Sequence, residues 1–349
     1  MYPRVERLPQ PAPDYQRFLD VVARKRPPAV PLLELAIARE VIAALLDEPV
    51  APPENVLEQS IRAHNRLGYD VVKVSAVNPF LTPRLRSATS DTEREWQDQH
   101  TGVIQSMEDA DACQWPTAEE VDCSPLKTAA GLLPAGMKLI GFSGGVLEFA
   151  MDLLGMERMM FALYDAPDLV AVVFERVGRT IHHIFENYCR IDAVCAIWLG
   201  DDLGSKNGLL ISPDALRQHV FPWFRRYAEL AHAHGKPFLL HSCGGMYGVM
   251  DDLLDAGIDA KHSFEDGVLP VERFVDQWGT RVATLGGVDV SLLAQGPEEA
   301  IVERTERILS HVADRGGYAC GSGNSIPSYV PTEHFLAMVE TVHRFNGGL

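Results

Sequence analysis

The sequence predicts an α/β fold of the (β/α)8 TIM-barrel type, with an N-terminal helical extension and an insertion after the second strand. Eight short apolar runs, around Val30, Val71, Leu139, Val194, Phe238, Lys261, Val282 and Tyr318, alternate with stretches of helical spacing. No Gly-x-Gly-x-x-Gly follows the first run, which places a doubly wound open sheet second. Acids and soft metal ligands gather at the ends of the runs, where a barrel carries its active site.

In chain order, residues 1–28 form the helical extension, with Tyr15, Phe18, Leu19 and Val22 at helical spacing before Pro27 and Pro28 end it. Residues 29–349 form the barrel. Ala29 to Leu35 is the first strand, helices follow at Arg39 to Leu46 and Glu54 to Leu67, and Tyr69 to Val74 is the second strand. Asn78 to Met137 is the insertion. It is partly irregular, with the Trp96 region, a Ser-Met-Glu-Asp-Ala turn and a helix from about Ala118. Lys138 to Ser143 is the third strand, and helices begin near Val146 and at Pro167. The fourth strand, Ala193 to Gly200, runs into Asp201 and Asp202. Ser212-Pro213-Asp214 opens a helix: Ser caps, Pro suits the first turn, and Asp faces the positive end of the dipole. That helix runs to about His234. Phe238 to Leu240 is the fifth strand, followed by a helix from Met246 to Ala256. Strands at Asp259 to Glu265, Arg281 to Gly287 and Gly317 to Gly321 then alternate with helices at Val271 to Trp278, Pro297 to Asp314 and Pro331 to Phe345.

A net charge of −17 argues against nucleic acid or an anionic membrane as a partner, since both require clustered Lys and Arg. No membrane-spanning apolar run and no signal-like N-terminus are present, so a cytoplasmic protein is expected. Six scattered cysteines read as reduced thiols rather than a disulfide framework.

The chemistry centres on Lys236 to Gly245. Residues two apart on a strand share a face, so His241 and Cys243 project together from the end of the fifth strand. They make half of a zinc site, to which Glu265 on the sixth strand and Cys320 on the eighth can add the rest. Two thiolates favour zinc over magnesium or calcium. Asp201 and Asp202 can orient substrate or donate a proton, or cap the turn that follows. Glu34, on an apolar strand, is read as functional or paired, because an unpartnered buried carboxylate is costly. Glu148, in the first turn of a helix, and Asp289 complete the strand-end acids as weaker substrate-contacting candidates.

The segments Val194-Cys-Ala-Ile-Trp-Leu-Gly-Asp-Asp-Leu-Gly204, Ile211-Ser-Pro213, Phe221-Pro-Trp223, Leu240-His-Ser-Cys-Gly244 and Pro331-Thr-Glu-His334 resemble the uroporphyrinogen decarboxylase superfamily, over about residues 30 to 345. That superfamily contains decarboxylases and zinc methyltransferases that work with corrinoid proteins, all on (β/α)8 barrels. The decarboxylases hold their polyanionic substrate with an Arg-rich segment after the first strand and an Asp after the second. This chain has Leu35-Ala-Ile-Ala-Arg-Glu40 and Ala76-Val-Asn-Pro79 there. His241, Cys243 and Cys320 resemble the His-x-Cys and downstream Cys of the methyltransferases. The zinc site of cobalamin-independent methionine synthase, similar in spacing, implies Glu265 as a further ligand. Aligned through Pro331 to His334, the downstream Cys position falls nearer Asn324, which joins the candidates.

The resemblance implies a zinc-dependent methyltransferase that moves a methyl group between a small methylated compound or thiol and the cobalamin of a separate corrinoid protein. That partner supplies methylcobalamin or cob(I)alamin and docks over the barrel mouth; a homodimer is compatible. The alternative is a decarboxylase acting on a less anionic substrate than uroporphyrinogen.

Overall fold

The computed structural model describes residues 1–80, 84–86, 95–97, 102–312 and 314–347. Its centre is a curled parallel sheet of seven strands in the order β1 (Val71–Ser75), β2 (Lys138–Gly144), β3 (Val194–Gly200), β4 (Phe238–His241), β5 (Ala260–His262), β6 (Ala283–Leu285) and β7 (Tyr318–Ala319). Spatial order follows chain order, and each step is a parallel crossover through helix.

The first expected strand, Ala29 to Leu35, is reduced to one parallel bridge, Leu32 with Cys320. Leu33 N–H donates to the Cys320 carbonyl (2.8 Å), and Cys320 N–H donates to that of Pro31 (2.9 Å). Pro31, inside the run, has no N–H to give, so a longer ladder is denied one of its donors.

Alternation along the strands separates two cores. Leu33, Val71, Ile140, Ala196, Trp198, Leu239, Ala260, Ala283, Leu285 and Ala319 fill the concave side, and helix Tyr15–Val22 inserts Phe18, Val21 and Val22 among them. Four of these strand residues are alanines, which leaves room for that helix. Arg17 anchors it through an ion pair with the buried Asp70. Most other apolar strand residues face the surrounding helices, while Phe142 and Cys195 pack against the concave-side cluster.

Several helices differ from expectation for local reasons. The Ser-Met-Glu-Asp-Ala turn is a helix, Met107–Ala112, because the Ser106 side chain accepts from Asp109 N–H as an N-cap. The helix expected from Ala118 begins at Ser124, with Pro125 in its first turn. The Ser212 helix is two, Pro213–His219 and Phe221–Ala233; Pro222 lacks the N–H that would continue the first. In the insertion, Arg84–Arg86 pairs antiparallel with Glu95–Gln97, which holds Trp96; the segments around this pair lie outside the described residues.

Candidate metal centre

Strand register builds the site. Gly200 of β3 lies opposite His241 of β4, and His241 lies opposite His262 of β5. Asp201 N–H donates to the His241 carbonyl (2.9 Å), which aligns the two chain exits. Cys243 N–H then donates to Asp202 Oδ1 (2.8 Å). His241 Nε2 faces Cys243 Sγ at 3.5 Å and Asp202 Oδ1 at 3.7 Å. One ligand atom from each of Asp202, His241 and Cys243 lies within 4.8 Å of the others, the one such cluster among the described residues.

Gly244 lets the loop leave. Its φ is +75°, and a Cβ there would come within 2.5 Å of the Gly204 backbone. The hairpin Gly204–Ser205/Gly208–Leu209 packs in that space, and Gly245 N–H donates to the Ser205 carbonyl (2.7 Å).

The electrostatics suit a cation. Burial, opposed by Asp202, keeps the His241 imidazole well below its usual pKa, so it is neutral with a lone pair to give. Burial and then the Asp202 charge push the Cys243 thiol up to about 12, so it needs a positive partner to ionise. Asn324 Nδ2–H donates to Cys243 Sγ (3.2 Å), and Ser263 Oγ lies 3.6 Å from that sulfur.

Asp201 and Asp202 divide. Asp201 is fully buried and accepts from the Leu147 and Glu148 N–H groups (3.0 Å each), capping helix Val146–Leu154 from outside. Glu148 lines a cleft of ≈360 Å³ with Ser75, Asn78 and Phe142. Burial, then Asp201 and Asp202, raise its pKa well above the carboxylate range.

The structure does not bring Cys320 or Glu265 into the cluster. Ala319 faces the concave core, so its neighbour Cys320 turns to the opposite face, fully buried near Tyr318 and Glu34. Strand β5 ends at His262, so Glu265 falls in the following turn. There it lines a cleft of ≈860 Å³ with Asn324, Asp289, Phe264, Lys206 and Tyr329. Asp289 caps helix Val290–Gln295 through Ser291 N–H (2.7 Å) and also accepts from Asp266 N–H (2.8 Å). Glu34 accepts from Ser322 N–H (2.7 Å) and Ser322 Oγ–H (2.5 Å), fixing the loop that carries Asn324.

Three polar residues near the site were not anticipated. His262 Nδ1 lies 2.7 Å from His241 Nδ1. Lys261, fully buried beneath Phe264, Tyr247 and Phe274, donates to the Ser263 carbonyl. Lys73 sits 4.3 Å over the Phe142 ring, and burial lowers its pKa to about 8. The phase of β5 held the signal for His262: it is two residues from the inward Ala260.

A curled parallel sheet with titratable side chains gathered where its strands end is the architecture of an α/β enzyme. A family model described as uroporphyrinogen decarboxylase (URO-D) matches residues 15–345, and the chain belongs to that family. Similar curated proteins are uroporphyrinogen decarboxylases. That of Anaeromyxobacter dehalogenans is 28% identical over 59% of this chain and 58% of its own. That of Geotalea uraniireducens is 25% identical over 70% of this chain and 71% of its own. The chain thus spans less than two thirds of the length of the first of these relatives. Among solved structures, a methyltransferase from Methanosarcina mazei superposes with a TM-score of 0.71. It covers 94% of this chain and 98% of its own at 17% identity, a likeness of fold.

Proposed function

We propose that the protein is a zinc-dependent methyltransferase of the corrinoid-linked kind, on a closed (β/α)8 barrel. The carrying observation is the convergence of Asp202, His241 and Cys243 at neighbouring strand ends. One nitrogen, one sulfur and one carboxylate oxygen are a zinc donor set; the sulfur disfavours magnesium and calcium, and three protein ligands leave a position for substrate. His241, Cys243 and Asp202 would hold the ion. When bound, zinc supplies Lewis-acid activation of a substrate thiol or ether oxygen.

The chain's own groups do the rest. Asp202 fixes the Cys243 backbone while presenting its carboxylate to the same point. Asn324 stands where the methyltransferase pattern puts a second cysteine. Its amide steadies the Cys243 sulfur and borders the ≈860 Å³ cleft, which is the substrate's place. Glu148, whose pKa is raised by burial and then by Asp201 and Asp202, can donate a proton from the neighbouring cleft. The methyl group's other station is the cobalamin of a corrinoid protein, a reading supported by the His-x-Cys pattern of His241 and Cys243.

The test is methyl transfer between methylcobalamin and a series of small thiols, followed by corrinoid absorbance, in zinc-loaded and chelated protein. Zinc-dependent demethylation supports the proposal; a corrinoid unchanged both with every thiol and, as cob(I)alamin, with a series of small methyl ethers defeats it. A second reading, a decarboxylase of a less anionic substrate, rests on the curated relatives. Carbon dioxide release that survives full chelation would favour it.

A further inference from the structure

We infer that His262 is the positioning residue of the metal centre: its Nδ1 accepts a hydrogen bond from His241 Nδ1–H and so fixes the tautomer in which His241 Nε2 is free to ligate. This rests on the metal reading above.

The geometry leaves two arrangements for the 2.7 Å contact between the two Nδ1 atoms, since one nitrogen must donate and the other accept. If His262 donated, a neutral His241 would carry its proton on Nε2, the atom that faces Cys243 and Asp202, and could not bind a cation. If His241 donates, its Nε2 lone pair points into the cluster and the proton of His262 sits on its own Nε2. That atom is fully buried without a hydrogen-bond partner. Its surroundings nevertheless tolerate a proton. The Trp198 ring lies 5.4 Å away at 90°, an aromatic neighbour toward which an N–H can be directed.

The ring is held, not merely lodged. Gly286, with φ +84°, passes so close that a Cβ would meet His262 Cδ2 and Nε2 at 3.0 Å and the Ser322 carbonyl at 2.3 Å. Ser322 is itself clamped by both Glu34 oxygens. Glu34 thus fixes Ser322, Gly286 packs against both Ser322 and the His262 ring, and His262 meets His241 through the Nδ1 contact. A ligating histidine gives its second N–H to a fixed acceptor in most metal sites, usually oxygen; here the acceptor is a second imidazole.

The experiment compares wild type with His262→Asn, whose Oδ1 stands near the place of Nδ1, and His262→Leu, which has the same shape and no acceptor. Zinc affinity is measured by chelator competition, and the cobalt(II)-substituted proteins are compared by absorption. The inference expects roughly 10–100-fold weaker zinc binding and an altered cobalt spectrum in His262→Leu, with His262→Asn near wild type. Equal affinity in His262→Leu and wild type overturns it, as does an Asn variant that loses as much as the Leu variant. In the zinc-loaded wild type, ¹⁵N resonances must show the His262 proton on Nε2; a proton on Nδ1 overturns the inference without any variant. A wild type that takes up neither zinc nor cobalt refutes the metal reading itself. A tightly metalled wild type with an unaffected His262→Leu refutes only the role of His262.

Discussion

At the scale of single residues, Glu34 shows how a carboxylate on an apolar strand is put to use. Burial raises its pKa to about 8 against the donated bonds of Ser322, which oppose that rise. An acid whose folded pKa lies above its unfolded value binds its proton more tightly in the fold. Its contribution is thus present at low pH and lost as pH climbs from about 4.5 to about 8. Unfolding measurements across that window should show stability falling with pH, by no more than about 1.4 kcal/mol per pH unit from this group. Glu34→Gln should flatten the slope; an equal slope in the variant would mean that Glu34 does not titrate there. His241 and Cys243 were legible because their relation is local, two residues apart at a strand end. Asp202 was visible as an acid but not as their neighbour, because that proximity comes from the β3–β4 register. Cys320 was drawn toward the site by its place in the eighth run. One-residue alternation turns it away.

At the scale of elements, apolar runs closed by Gly or an acid made the sheet readable, and seven of the eight expected strands form it. The first was over-read, since its apolar character is real but Pro31 removes a donor. Asn78 to Met137 was hard to read because most of its sequence carries neither the helical nor the strand period; among its described residues, helix Met107–Ala112 is set by the Ser106 cap. Asp201 belongs to this scale too. Asp201→Ala leaves the Leu147 and Glu148 N–H groups without their acceptor in a buried place. A loss of about 1–3 kcal/mol in urea unfolding is expected; unchanged stability would show that the helix end finds another partner. Gly244→Ala should weaken zinc binding without altering the sheet, because its Cβ collides with Gly204 backbone and displaces the Cys243 loop. Zinc affinity equal to wild type would show that the loop yields at no expense to the site.

At the scale of the whole molecule, no helix among the described residues is long and apolar enough to cross a membrane. The charge of −17 is spread over a chain whose proposed partner is another protein. If the acidic surface guides a corrinoid protein to the strand-end face, their association should weaken several-fold as salt rises from about 0.05 to about 0.3 M. A salt-independent affinity in a pull-down or titration would remove electrostatic docking. The fold brings Asp202, His241 and Cys243 together from two strands whose ends adjoin, and every functional claim made for the molecule depends on that meeting point. Zinc stoichiometry in wild type, Cys243→Ala and Cys320→Ala tests it most directly. The account predicts about one zinc in wild type and almost none in Cys243→Ala. It predicts an undiminished content in Cys320→Ala, whose penalty is instead about 1–3 kcal/mol of stability from lost packing. Full zinc in Cys243→Ala, or zinc lost with Cys320 alone, would contradict it.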